Sequence, residues 1–150
     1  PPLTVEKASR AAHDAIARQV PALAPAHQPR QGVLVQLPTA FATGQAAGPH
    51  RWAADIVGST LGITATPTWL WDFGDGATLA ADRAGGPFPS DIVHVYRRAG
   101  RPTVTVTTTW SATFTVDGLG PFPVAEPVRQ TVQLAMAVGE GRALLTPSGG

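Results

Sequence analysis

The sequence predicts an all-β protein, an antiparallel β-sandwich preceded by a helical arm, and three observations predict it. Apolar residues recur at every second position along several runs after residue 32. Glycine and proline, 16 and 15 of 150 residues, sit between those runs, where turns belong, rather than in one low-complexity block. No helical run separates one strand candidate from the next, so the β-α alternation of a parallel sheet is missing.

Composition narrows the class. With 43% hydrophobic and 14% charged residues, a chain of this length can bury a core that needs no staple. Eleven basic against ten acidic residues leave a net charge of +1, too little for a global field toward nucleic acid or a membrane surface. The absence of Cys excludes disulfides, thiolate catalysis and Cys-based zinc sites. All basic residues but Lys7 are Arg and Asn is absent, a bias of GC-rich codon usage that also removes every N-glycosylation acceptor. The chain opens on Pro1-Pro2 without Met or an apolar leader, so we read it as a processed or trimmed fragment that leaves room for a signal peptide ahead of it.

The elements follow in order. Val5, Ala8, Ala12, Ala15, Ile16 and Val20 fall on one helical stripe, Thr4 is placed to cap its start, and Pro21 and Pro25 end it. That face is narrow and rich in Ala, so the helix must dock on something larger. The Pro-rich stretch to Gly32 reads as a linker, which gives a boundary near residue 32, a β body over 33–145 and a disordered tail over 146–150. Val33 to Phe41, Arg51 to Val57, Leu61 to Phe73 and Ile92 to Tyr96 are strand candidates, with Pro67 marking an edge or bulge. From Thr103 to Val116 the even positions are apolar except Thr108, and every odd position is Thr or Ser. Such alternation means one buried and one wet face, and at ~3.3 Å per residue the run reaches roughly 45 Å, enough to require a bend or a protruding end. Asp117-Gly118 and the prolines behind it form a turn, and Val128 to Val138 returns to complete a long hairpin.

Trp71-Asp72-Phe73-Gly74-Asp75-Gly76 is the most informative segment: aromatic anchors on either side of an Asp, then glycines free to take positive φ, with Asp72 and Asp75 available to cap turn amides. His94-Val95-Tyr96, Gly100 and the Val104-Thr105-Val106 alternation follow. With these residues the chain resembles a polycystic kidney disease (PKD) domain, whose pattern is W-D-F-G-D-G, then H-x-Y, then G-x-Y-x-V-x-L. The resemblance runs from about Val33 to Val138. It implies an immunoglobulin-like sandwich outside the cell that makes protein or carbohydrate contacts, with Trp71, Asp72, Phe73, Gly74, Asp75, Gly76, His94 and Tyr96 in mainly structural roles. The chain departs from the pattern in a long connection, Ala77 to Val93, and in Pro102 where the pattern has Tyr. The layout as a whole is similar to that of exported actinobacterial proteins.

Candidate sites are few. Asp72-Phe73-Gly74 spells the kinase metal motif but lacks the H-R-D and Gly-rich companions. Asp72 and Asp75, with Asp82 or Asp91, are weak Ca²⁺ candidates on the resemblance, since some PKD-like domains bind calcium, but the twelfth position of an EF-hand count is Arg83. His13, His27, His50 and His94 are scattered without zinc spacing. Ser59, Ser90 and Ser111 lack a G-x-S-x-G elbow, so we expect no enzyme and no cofactor. Binding candidates are Phe88 between prolines in the insert, the indoles of Trp52 and Trp69, and the Arg97, Arg98 and Arg101 cluster. Trp71 and Trp110 are assigned to the core. The expected role is a non-enzymatic interaction module at the cell surface or envelope, touching a protein partner through the Ala77–Val93 insert and the Asp117–Pro123 tip. A carbohydrate-binding accessory domain of a secreted hydrolase is the alternative, and a small hydrolase a third and weaker one.

Overall fold

The structure is a computed structural model that describes residues 3–140; the tail expected over 146–150 lies outside the described residues. In chain order the elements are α1 (Val5–Gln19), β1 (Ala26–Gln28), β2 (Val33–Leu34), β3 (Pro38–Ala42), β4 (His50–Ile56), β5 (Ser59–Asp72), β6 (Thr78–Ala81), β7 (Val93–Val95), β8 (Thr103–Val116), β9 (Leu119–Pro123), β10 (Val128–Ala135) and β11 (Val138–Gly139). One sheet has the order β1-β3-β7. A second has the order β10-β8-β5-β4, with β6 on β5 and β9 on β8, and β2 pairs β11. The β1–β3, β3–β7, β4–β5, β5–β6 and β8–β9 pairs are antiparallel, and the short β2–β11 pair is parallel. This is a mostly β, sandwich-like architecture with one short helix. Among the described residues no helix is long and apolar enough to cross a membrane.

Contacts divide the chain into two compact units, each drawn from three stretches of sequence. The first comprises 3–22, Ala47–Thr68 and Thr108–Gln130. Here Thr4 Oγ1 accepts the Lys7 N–H at 3.1 Å and caps α1, which packs against β4 and β9. The helix buries Ala8, Ser9, Ala12, Ala15 and Ile16, and the small Ala side chains let its backbone approach Leu61, Ile63, Ala65, Trp110 and Phe114. Val5, which the stripe included, is half exposed. The polar groups inside this core are paired. Trp110 Nε1 donates to Gln130 Oε1 at 2.8 Å, Gln130 Nε2 donates to the Pro21 carbonyl at 3.0 Å, and Ser9 Oγ accepts the Ala125 N–H at 2.9 Å.

The second unit comprises Leu23–Ala46, Trp69–Thr107 and 131–140, and its core gathers Phe41, Trp69, Trp71, Phe73, Tyr96, Val104 and Val106. Phe41 meets Trp71 and Phe73 at ring separations of 5.4 and 5.2 Å, the tilted packing that aromatic quadrupoles favour. The Val104, Val106, Thr108 and Trp110 side of β8 is buried as the alternation requires, and the β8–β9 register slips between Phe114 and Val116. Pro67 falls between the residues of β5 that pair β4, ending at Ala65, and those that pair β6, starting at Trp69. A missing N–H there interrupts neither register. Three strands go beyond the sequence reading. β1 lies in the expected linker, β6 opens the expected insert, and β9 forms despite Pro121 and Pro123. Their side chains carry little periodicity, and tertiary pairing decides their state.

Candidate functional site

The Asp72–Gly76 turn of the second unit is closed by its own side chains. Asp72 Oδ1 accepts the Gly74 N–H at 3.0 Å, Asp75 Oδ1 accepts the Ala77 N–H at 3.1 Å, and the Phe73 N–H donates to the Ala77 carbonyl at 3.0 Å. Gly74 has φ +83°, and a Cβ there would stand 2.5 Å from the Thr103 carbonyl oxygen, so no other residue fits.

Strand β7 brings His94 across this turn. Its ring stacks on Phe73 at 4.2 Å and 3°, meets Tyr96 edge-on at 4.6 Å, and its Nε2–H donates to Asp75 Oδ2 at 2.7 Å. Tyr96 Oη–H donates to the Phe73 carbonyl at 2.9 Å. Burial raises the pKa of the Asp75 carboxyl, but the hydrogen bonds from His94 and the Ala77 N–H, with the charge of His94, outweigh it and hold the group below its ordinary 3.8. Burial, then the charges of Asp75 and Asp72, push the Tyr96 phenol far above its ordinary range, which keeps it a neutral donor.

Beside this cluster opens a cleft of about 870 Å³ lined by Asp75, His94, Val95, Tyr96, Arg97 and Arg98. Both arginines are exposed, and among the described residues neither joins an ion pair. The cleft wall contains no Ser, Thr or Cys; His94 Nε2 is held by Asp75 and the Tyr96 hydroxyl by the Phe73 carbonyl. Among the described residues, the cleft wall thus offers no Ser, Thr or Cys nucleophile of the kind acyl transfer uses. Two guanidinium forks beside an apolar Val95 are suited instead to binding carboxylates.

The other sequence candidates scatter. Trp69 is a core residue rather than a binding surface: it is 2% exposed and its Nε1 donates to the buried Gln45 Oε1 at 2.9 Å, because it shares the inward face of β5 with Trp71. Trp52, in the first unit, is half-buried, stacked on His50 at 5.9 Å and tilted against Trp110. In the insert, the Gly86 N–H donates to the Phe41 carbonyl and Ser90 Oγ accepts the Ile92 N–H. Phe88 is 44% exposed, anchored by its N–H to Gln28 Oε1 at 2.8 Å. Both oxygens of Asp75 are engaged, Asp82 and Asp91 are exposed outside the turn, and among the described residues no group of three His, Asp or Glu stands close enough to hold a metal ion.

A further surface lies in the first unit, where two hairpin turns adjoin. Asp117 accepts the Thr60 N–H on Oδ1 and donates its own N–H to the Thr60 carbonyl, each at 2.9 Å, and Asp55 Oδ1 accepts the Thr60 hydroxyl at 3.0 Å. Val57 and Leu119 stand out from these turns, 78% and 70% exposed. The Asp117 tip is among the expected contact regions, and Val57 is not. Its signal in the sequence is Val-Gly at a two-residue hairpin turn that normally takes Asn-Gly. Neither a protein-family profile nor a curated protein matches this chain.

Proposed function

We propose that this chain is a non-enzymatic interaction module of the cell exterior, an immunoglobulin-type, PKD-like sandwich that makes protein–protein contact in adhesion or surface assembly. The observation that carries this reading is the cleft with two outward arginines and a His–Asp–Tyr cluster committed to closing a turn. The turn supports the PKD likeness, because each polar residue of the motif has a structural partner. The hydrolase alternative lacks a nucleophile in the cleft, and Ser90 is tied to the backbone of its own loop. The carbohydrate alternative depends on exposed indoles, and those shrink to the half-buried Trp52.

The test is calorimetric titration with an oligoglutamate peptide and, in parallel, with neutral polysaccharides. We expect weak, salt-sensitive peptide binding that Arg97→Ala with Arg98→Ala abolishes while the melting temperature stays unchanged. Saturable polysaccharide binding lost on Trp52→Ala would transfer the role to carbohydrate. Turnover of ester, peptide or glycoside substrates that disappears in His94→Ala would overturn the non-enzymatic reading.

A further inference from the structure

We infer that the partner received by the arginine cleft is a second copy of this chain, which presents the apolar and acidic hairpin tips of its helix-bearing unit. The inference rests on the proposed contact role of the cleft.

The first argument is conformational. Val57 has φ +48°, a left-handed backbone that a β-branched side chain adopts at a cost, and the side chain is 78% exposed, so neither burial nor turn geometry favours Val there. Asn or Gly would serve the fold better. An outlier of this kind, kept where the fold does not need it, points to a surface task. The second argument is preorganisation. The paired Asp117–Thr60 hydrogen bonds hold the Leu119 turn beside the Val57 turn, so the two exposed side chains form a fixed knob that loses little freedom on docking.

The third argument is complementarity. The turn segments 55–60 and 116–121 carry Asp55 and Asp117 and no basic residue. The cleft supplies Arg97 and Arg98 beside the exposed Val95. Two carboxylates and two apolar side chains on one surface thus meet two guanidinium groups and the apolar Val95 on the other. The same two Asp disfavour an anionic bilayer as the occupant of the tip.

The knob is small, so association belongs to the weak class, with dissociation constants on the order of 10 μM to 1 mM. Sedimentation equilibrium reads this directly. The average mass of the wild-type chain should rise with concentration and fall with added salt. Val57→Asn with Leu119→Ser (tip variant) and Arg97→Glu with Arg98→Glu (cleft variant) should each stay monomeric, with melting temperatures showing that both fold. Mixed in equal amounts they should form a one-to-one dimer and nothing larger, because one copy retains the tip and the other the cleft. A wild-type chain that stays monomeric throughout, a tip variant that still associates, or a mixture that does not restore the dimer overturns the inference. If the monomeric chain still binds oligoglutamate through Arg97 and Arg98, the proposed function survives without self-association; if it binds neither, both fail.

Discussion

The Asp72–Gly76 turn and the Val57-Gly58 turn both reverse the chain through positive φ, and they use opposite chemistry. In the first, glycines take the left-handed positions, at +83° and +95°, and carboxylates satisfy the amides that the reversal leaves free. In the second, a valine takes +48° and points into solvent. The comparison separates a turn whose residues are explained by the fold from one whose residue is not. The first therefore reads as structure despite its chemically suggestive His–Asp pair, and the second reads as surface despite having no reactive group at all.

The largest effect should come from the aromatic core behind the first turn. Trp71→Ala is expected to cost roughly 3–5 kcal/mol through the cavity it leaves, measured by denaturant unfolding. Trp71 Nε1 has no hydrogen-bond partner among the described residues, so the loss is one of packing alone. Gly74→Ala follows, at about 2 kcal/mol or more, because left-handed strain adds to the collision with the Thr103 carbonyl. If Gly74→Ala were neutral, the polar turn would not be dictated by its backbone and the contrast with Val57 would lose its basis.

These two positions also show what the sequence makes legible. Period-two alternation identifies β8 and the core placement of Trp71, though not that of Trp69, and the Thr4 cap and the prolines after Val20 bracket α1, because those signals are local. β6 and β9 carry no such signal: each is held by a register on a neighbouring strand, Trp71 to Leu79 and Phe114 to Phe122, that composition does not encode. The site divides the same way. His94 and the turn acids could be paired from the motif, and the arginines could be picked out as a cluster. That Arg97 and Arg98 line a cleft, and that Asp117 holds a second turn through Thr60, depends on contacts between residues far apart in the chain.

Intermediate effects probe the His94–Asp75 pair. His94→Ala should cost about 1–3 kcal/mol, since it removes both the stack on Phe73 and the charge-assisted bond, and Asp75→Ala about 1 kcal/mol. The pH dependence has a fixed sign. The folded Asp75 pKa lies below 3.8, so its contribution is complete above that value, declines as pH falls below it, and is gone once pH passes the folded pKa. Unfolding midpoints followed from pH 6 into acid, in the wild-type chain and in Asp75→Asn, should therefore converge below pH 3.8. A difference that stayed constant through that range would mean that the pair does not hold the turn.

The smallest effect carries the most information about the second turn. Val57→Asn exchanges a β-branched residue for one that tolerates the left-handed region, and it removes an exposed apolar group, so it should stabilise the chain by about 0.5–1 kcal/mol. Leu119→Ser, on the adjoining turn, should stay within about 0.5 kcal/mol of neutral. Thermal melts at matched low concentration, where no association contributes, measure both. A rise in melting temperature for Val57→Asn means that the wild-type residue holds the fold below its attainable stability, which selection tolerates readily where the side chain is used. A fall would mean that Val57 supports the hairpin through contacts with Ile56 or Val116, and the contrast between the two turns would then be one of packing rather than of purpose.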